Sequence, residues 1–459
     1  MKTLLFFTLA ACGFALAAPP MTARFSNGDS ITGNLTAIDD QSITWESEFF
    51  TQPQRLKLDR LIDISLPTSD TVDLPDGDHI AVLTLTNDDV VRGALVSLDS
   101  KNIKLSTSYA GDLVFRRDMV AALTVEEKPE IFFAGPSTID EWHLDEEGDW
   151  TLEGGELVSD SAASISRDMG VRDRFRVAFD VEWRGTTRFR IFTCADSTEL
   201  DQISNSFELV CQSNYAYMRK RTKRNGRVES MNIGNPTGMR EFQEREKVRV
   251  EILHDLVSGR IRLILGGRVA ADWRDDNPGV GKLGGALHFL SDSGKEIRIS
   301  RIRVSSWDGN IEGKWKEGRM DPFGNDEPET EDAEDQYPIG VVLRNGDNIK
   351  GETVGIEEGS VKLKTDLGEF ELPVSRLRRF ALRTPEDAAN PELTWKPILR
   401  NGDIRAHFME GDHITFQLIG FGDGTIRGKS QTFGEAEFKL SSFNRLEFNL
   451  YVTDDDDDW

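Results

Sequence analysis

One pattern dominates this chain: apolar, any, Asn or Glu, Gly or Asp, Asp, any, apolar. It occurs as Phe25 to Ile31 around Asn27-Gly28-Asp29, and as Leu85 to Val91 around Asn87-Asp88-Asp89. It returns as Leu343 to Ile349 around Asn345-Gly346-Asp347, and as Phe408 to Ile414 around Glu410-Gly411-Asp412. A further Asn401-Gly402-Asp403 precedes the last copy. Asn-Gly between alternating apolar positions is a hairpin signal, because both residues tolerate the positive φ of a type I′ turn. Each copy is therefore predicted to open with a tight hairpin. In three copies a glycine follows two residues after the apolar position, at Gly33, Gly93 and Gly351. Strand interiors avoid glycine, so its predicted use is a sharp bend that carries the second strand from one sheet into the next. Phe416 takes that place in the fourth copy.

The copies also share an ending. Leu58, Leu61, Ile64 and Leu66 are matched by Val374, Leu377, Phe380 and Leu382, and by Leu440, Phe443, Leu446 and Phe448. A spacing of three followed by spacings of three and two suits one 3₁₀ turn leading into a final strand. The second copy matches in part, with Val120, Leu123 and Val125 but Arg117 at the first position. A unit of about 42 residues with some five short strands and a late 3₁₀ turn resembles an SH3-like barrel. Gly93, Leu95 and Asp99, and likewise Gly33, Leu35 and Asp39, resemble the first motif of Sm-like barrels. That resemblance implies RNA binding, but the second Sm motif is missing, and shared small-barrel geometry explains the match.

Between Glu130 and Gly309 the pattern changes to longer strands, predicted at 175–183, 188–194, 206–212, 215–222, 248–253, 260–265, 286–290 and 297–305. Turn signals at Asn225-Gly226, Gly266-Gly267 and Ser293-Gly294 separate several of them. The expectation is a two-sheet sandwich. Trp150 to Leu157, Val250 to Asp255 with Trp273, and Gly281 to Gly309 resemble the concanavalin A-like jelly rolls, in particular laminin-G-like domains and the 3-keto-disaccharide hydrolase family. The resemblance implies glycan binding or, less often, glycan cleavage.

The expected fold is therefore all-β, with a central jelly-roll sandwich flanked by two pairs of small SH3-like β-barrels. The expected boundaries are a signal peptide over 1–18, repeats at 19–68 and 78–127, the jelly roll at 130–309 and an acidic linker at 310–337. Repeats at 338–384 and 396–451 and an acidic tail at 452–459 complete the chain.

Lys2, the apolar run Leu4 to Leu16 and Ala15-Leu16-Ala17 read as an export signal with its cleavage site. Leu9 to Gly13 also resembles a bacterial lipobox, which would lipidate Cys12. No other segment approaches the ~20 apolar residues of a membrane span. Export permits a disulfide between Cys194 and Cys211. Strand parity argues against it, because Cys194 falls on the face opposite Phe189 and Ile191 unless a bulge intervenes, whereas Cys211 shares its face with Phe207 and Leu209. The formal charge of −25 is partly local: eight carboxylates fall within 321–335 and five within 454–458. An acidic chain is a poor match for nucleic acid, so no nucleic-acid partner is expected.

No constellation commits to a chemistry, and no catalytic residue, metal ligand or cofactor is assigned. The six histidines lack metal-ligand spacing. Gly279, Gly281 and Gly284 fit G-x-G-x-x-G without the βαβ context that a dinucleotide needs. Asp272, Asp275, Asp276 and Asn277 make an oxygen-rich loop, readable as a Ca²⁺ site or as a solvated turn. Asp180 and Glu182 share a strand face at ~7 Å, a spacing that suits a glycosidase pair as well as ordinary surface carboxylates. The hairpin Tyr215 to Arg227 is unusual, concentrating six basic residues and two tyrosines. It reads either as a recognition edge for an anionic partner or as a charged edge that discourages sheet-to-sheet aggregation. Trp183, Tyr215, Tyr217, Arg219 and Arg221 are the candidate ligand-binding residues. The leading reading is a non-catalytic exported binding or scaffold protein whose partner is a polysaccharide or an envelope protein. The alternative is a glycan-active hydrolase using jelly-roll carboxylates.

Overall fold

A computed structural model describes residues 21–450, apart from 68–73, 310–339 and 383–399 and short gaps at 40, 147–148, 154, 184, 186–187, 240, 245–246, 280, 293, 358, 381, 401 and 409–411. The expected signal peptide, Cys12, the acidic linker and the acidic tail lie outside the described residues. The described chain is all-β, and its one α-helix is the single turn Glu241–Glu244.

The first repeat runs Met21–Phe25, Ser30–Ile38, Ser42–Glu46, Gln54–Lys57, a 3₁₀ turn Leu58–Arg60 and Leu61–Ser65. The others follow the same order, and the 3₁₀ turn recurs at Arg117–Met119, Val374–Arg376 and Leu440–Ser442. The second copy thus has its turn despite Arg117, with Met119 buried within it. The opening turns differ from expectation. Phe25 N–H donates to the Asp29 carbonyl and Gly28 N–H to the Phe25 carbonyl, and of the turn residues only Gly28 has positive φ (86°). This is a type I turn closed by a left-handed residue rather than a type I′ turn. The Asn27 and Asp29 side chains bond each other across it, as do Asn87 with Asp89 and Asn345 with Asp347.

The glycine bend is as predicted. Gly33 pairs with Met21 while the next residue, Asn34, pairs with Glu46 in a different strand. A Cβ on Gly33 would collide with the Glu46 carbonyl. The fourth copy keeps the bend by exchanging large for small. Its Phe416 sits where Gly33 does, and the residue equivalent to Trp45, Leu105 and Leu363 is Gly428. A Cβ on Gly428 would collide with the Phe416 ring.

The two pairs of repeats are not separate bodies on either side of the sandwich, as spacers would be. Their strands join one 21-stranded hydrogen-bonded system around one core. Final strands pair through equivalent positions: Leu123 with Phe380 joins the second and third repeats, and Leu446 with Ile64 joins the fourth and first. The second and fourth repeats meet at Val90 and His413, again equivalent. Arg116 N–H donates to the Thr432 carbonyl, and Lys439 N–H to the Tyr109 carbonyl, which is the same contact in reverse. The matched contacts describe an internal pseudo-two-fold that exchanges repeats 1 and 4 with repeats 3 and 2.

At this axis the turn carboxylates acquire a second duty. Asp89 is fully buried and accepts from Thr415 N–H and Oγ1, each at 2.7 Å, whereas its equivalents Asp29 and Asp347 are exposed. Burial pushes the Asp89 carboxyl up to about 6 against the opposing hydrogen bonds from Thr415 and Asn87.

The sandwich is inserted between the second and third repeats, with its ends adjacent: Ser306 N–H donates to the Glu130 carbonyl at 2.8 Å. One sheet orders His143–Leu144, Ser164–Asp168, Ala286–Ser291, Arg188–Ala195, Ser206–Gln212, Tyr215–Arg224 and Arg227–Gly238. The other is built round Ile297–Ser306, Arg174–Trp183, Lys247–Asp255, Arg260–Leu265 and Arg268–Arg274, with Thr151–Glu153, Glu156–Ser159 and Ile131–Gly135 at one side. Phe179, Ile191, Leu209, Ile252 and Phe289 fill the space between them.

Two outcomes follow from these contacts. Gly428→Leu should destabilise the chain by more than ~2 kcal/mol through overpacking, and Phe416→Gly by ~3–5 kcal/mol through the cavity it leaves. The double variant restores the arrangement of the other repeats, so denaturant unfolding should show a loss well below the sum. For Asp89, the native state holds its proton more tightly than the unfolded chain. Its contribution is fully present below pH ~4 and falls as pH rises toward about 6, worth up to ~3 kcal/mol. The stability of the wild type relative to Asp89→Asn should therefore decline from pH 4 to pH 7, measured by unfolding at each pH.

Candidate ligand-binding face of the sandwich

Strand alternation sorts the hairpin residues cleanly. Ala216 and Met218 point into the core, and Tyr215, Tyr217, Arg219 and Arg221 share the outward face of the seven-stranded sheet. Pairing then sets rows across that face. Tyr217 lies beside Val210 and then Arg190, and Arg219 beside Glu208 and then Phe192. The four residues predicted from this hairpin are therefore brought together.

Trp183 is not with them. It is 4 % exposed and stacks on Phe242 with ring centroids 4.5 Å apart, so it belongs to the sandwich core and presents no ring to a ligand. Alternation along Arg174–Trp183 puts it on the same inward face as Phe175, Val177, Phe179 and Val181.

Half of the outward face is covered by the chain itself. Between the strands Arg188–Ala195 and Ser206–Gln212, Leu200 and Ile203 pack on Phe192, Ala195, Ala286 and Leu290. The Ser197 carbonyl lies 2.8 Å from His288 Nε2, and Ser166 Oγ donates to the Thr198 carbonyl at 2.6 Å. The sequence signal was present in Ile191-Phe192, two consecutive apolar residues that give the strand an apolar group on each face. The other half stays open. Tyr215 and Tyr217 lie with ring centroids 6.1 Å apart at 21°. Arg219 donates from Nη2 to the Tyr217 hydroxyl at 2.7 Å, with its Cζ 4.8 Å from the ring centroid. Arg190 is held by Asp292 at 2.6 Å and by buried Glu208 at 3.3 Å, and this residue was not singled out from sequence. The result is a ring platform bordered by two fixed guanidinium groups, a combination that stacks on flat apolar faces and donates hydrogen bonds to oxygen ligands.

The remaining sequence candidates have structural roles. Asp180 is buried between Arg249 and Arg301, and despite desolvation these cations hold its carboxyl below the ordinary range. Glu182 pairs with Lys247 at 3.2 Å. Asp272 is engaged by Arg260 and Arg262, and Asp275 by buried Lys220 at 2.6 Å, so two of the loop's three carboxylates are engaged by cations of neighbouring strands. Among the described residues no three His, Cys, Asp or Glu side chains gather as metal ligands, and no helix is long and apolar enough to cross a membrane. Gly281 takes φ 99°, and a Cβ on Gly284 would collide with the Ala195 carbonyl, which accounts for the glycine-rich turn.

A bulge between Phe192 and Ala195, with Cys194 at φ 54°, turns Cys194 into the same core as Cys211. They are nonetheless free. Cys211 pairs with Phe189, five residues along the strand from Cys194, or ~16 Å, beyond the ~7 Å limit for a disulfide. Burial pushes both thiols well above the ordinary thiol range, so neither should react with a thiol reagent in the native state, and both should react on denaturation. Trp183→Ala should lower unfolding stability by ~3–5 kcal/mol.

No family model and no curated protein matches the chain. Among solved structures, the carbohydrate-binding module CBM66 from Bacillus subtilis is similar at 16% identity and TM-score 0.25, covering 36% of this chain and 96% of the module. A Bacillus subtilis protein of unknown function with a galectin-like fold is similar at 13% identity and TM-score 0.30, covering 40% of this chain and 99% of that one. A Parabacteroides distasonis protein provisionally named a glycosyl hydrolase is similar at 13% identity and TM-score 0.26, covering 39% and 99%.

Proposed function

We propose that this protein is a non-catalytic exported binding protein that recognises a glycan of the cell envelope on the open half of the seven-stranded sheet. The observation that carries this reading is the joint placement of Tyr215, Tyr217, Arg219 and Arg221 on one outward face, beside the anchored Arg190. Sugar rings bind by laying C–H faces on aromatic rings while their hydroxyls or acid groups meet fixed donors. The guanidinium groups favour a glycan bearing carboxylate or sulfate over a neutral one.

A hydrolase built on Asp180 and Glu182 has less support. A general acid needs a carboxyl whose proton is retained near neutral pH, and Asp180 is held in the opposite direction by Arg301 and Arg249. The repeats serve, in this reading, as the rigid body that carries the sandwich.

Full-length protein screened against acidic and neutral polysaccharides should retain the acidic ones. Tyr217→Ala should weaken retention roughly tenfold or more, and added salt should weaken it further. Unchanged binding by Tyr217→Ala and Arg219→Ala would refute this site. Release of sugar that is lost in Asp180→Asn would replace the reading with the hydrolase.

A further inference from the structure

Repeats 2 and 4 meet through one particular edge of the barrel, and repeats 1 and 3 carry that same edge turned outward. At the internal contact each repeat contributes the same parts: the tip between its third and fourth strands, the end of the fourth strand and the opening turn. The tip of repeat 2, residues 108–110, lays Tyr109 on Phe408 and Phe438 of repeat 4, and the tip of repeat 4, residues 431–433, lays Phe433 on Phe115 of repeat 2. Arg116 and Lys439 end the fourth strands, and each donates its N–H to a carbonyl of the opposite tip. The turn carboxylate Asp89 accepts from Thr415, and Val90 pairs with His413 at the centre of the contact.

Repeat 1 has every one of these parts, uncovered. Its tip, residues 47–53, holds Phe49 at 72% and Phe50 at 42% exposure. Phe25 and Leu56 stand where Phe408 and Phe438 do, yet they are only half-buried, whereas Phe408 and Phe438 are covered. Lys57 ends the fourth strand, which pairs with Ser42–Glu46 alone among the described residues. Asp29 and Thr32, equivalent to Asp89 and Thr415, are exposed, as is Ser30, equivalent to Val90 and His413. One edge thus bears both the ring tip and the place a ring tip fills, and both the carboxylate and the threonine. It is self-complementary, which a two-fold contact between identical copies requires.

Repeat 3 departs from this set. Its tip is only Asp366 and Leu367, with no ring, and Lys350 replaces the threonine. Pro373 stands where Lys57, Arg116 and Lys439 do, so no N–H is available there. Proline on an edge strand keeps other strands from pairing with it.

We propose that the open edge of repeat 1 is a homodimer interface, in which two copies of the chain meet by the contact that joins repeats 2 and 4 within each. Phe49 and Phe50 of each copy pack on Phe25 and Leu56 of the other, and Asp29 of each accepts from Thr32 of the other. Lys57 N–H bonds a tip carbonyl across the interface, and the two Ser30 residues face each other at its centre. The contact is small, so association is reversible and depends on concentration. It does not rest on the glycan reading.

Sedimentation of the full chain over a concentration series tests it. A monomer–dimer equilibrium should appear below about 100 μM, and Phe49→Asp combined with Phe50→Asp should weaken it roughly tenfold or more. Lys57→Pro should weaken it at least about fivefold, by removing a donor from each copy. Lys57 has φ −72° against −59° at Pro373, so the fold accepts proline there. With Cys12→Ser, Ser30→Cys should oxidise to a linked dimer, because residues facing each other across such a contact lie within disulfide reach. Asn348→Cys, the equivalent in repeat 3, should stay unlinked. A monomer throughout the series, wild-type association in both the tip and the proline variants, or linkage of Asn348→Cys as readily as Ser30→Cys would overturn the proposal.

Discussion

Everything in this molecule depends on how its open strand edges are closed. A five-stranded unit of some 45 residues buries too little to be independently stable and leaves unpaired edges. Here the edges are spent on one another. Leu123 with Phe380 and Leu446 with Ile64 seal the final strands pairwise, and the reversed contacts at Tyr109 and Thr432 lock the pairs together. The aromatic tips reinforce that lock, Tyr109 on Phe408 and Phe438, and Phe433 on Phe115. Because the sandwich leaves and returns at neighbouring points, Glu130 and Ser306, it can sit between two halves of one body without separating them.

Local features of this fold were legible because their causes are local. The eight strands predicted in the sandwich are all present within a few residues, since alternation and turn residues determine them. The bending glycines were legible for the same reason. Phe416 looked like a lapse, and only the cross-strand partner Gly428 shows it to be an exchange of volume. The turn type was misread because Asn-Gly fits two geometries, and the pairing at Asp29 selects the one with a single left-handed residue.

What the sequence did not reveal is non-local. Asp89 looks identical in role to Asp29 and Asp347, yet the approach of Thr415 buries it. Trp183 was read as a ring for a ligand, whereas strand parity, applied to its own strand as it was to Cys194, places it in the core. The candidate face was half legible: the tyrosines and arginines declared themselves by composition. The covering by Leu200 and Ile203 and the anchoring of Arg190 required the fold. The two sheets thereby divide their outward faces, one partly open beside Tyr217, the other turned toward the repeats with Arg176 and Arg303.

The N-terminal and C-terminal repeats form one body through paired final strands. Cysteines placed at Thr124 and Arg379, which face each other across that pairing, test it directly. With the native thiols buried, mild oxidation should link the pair within a single chain, seen as faster migration on non-reducing gels without dimer. Failure to link, or linkage only between chains, would show that these final strands do not pair within one chain.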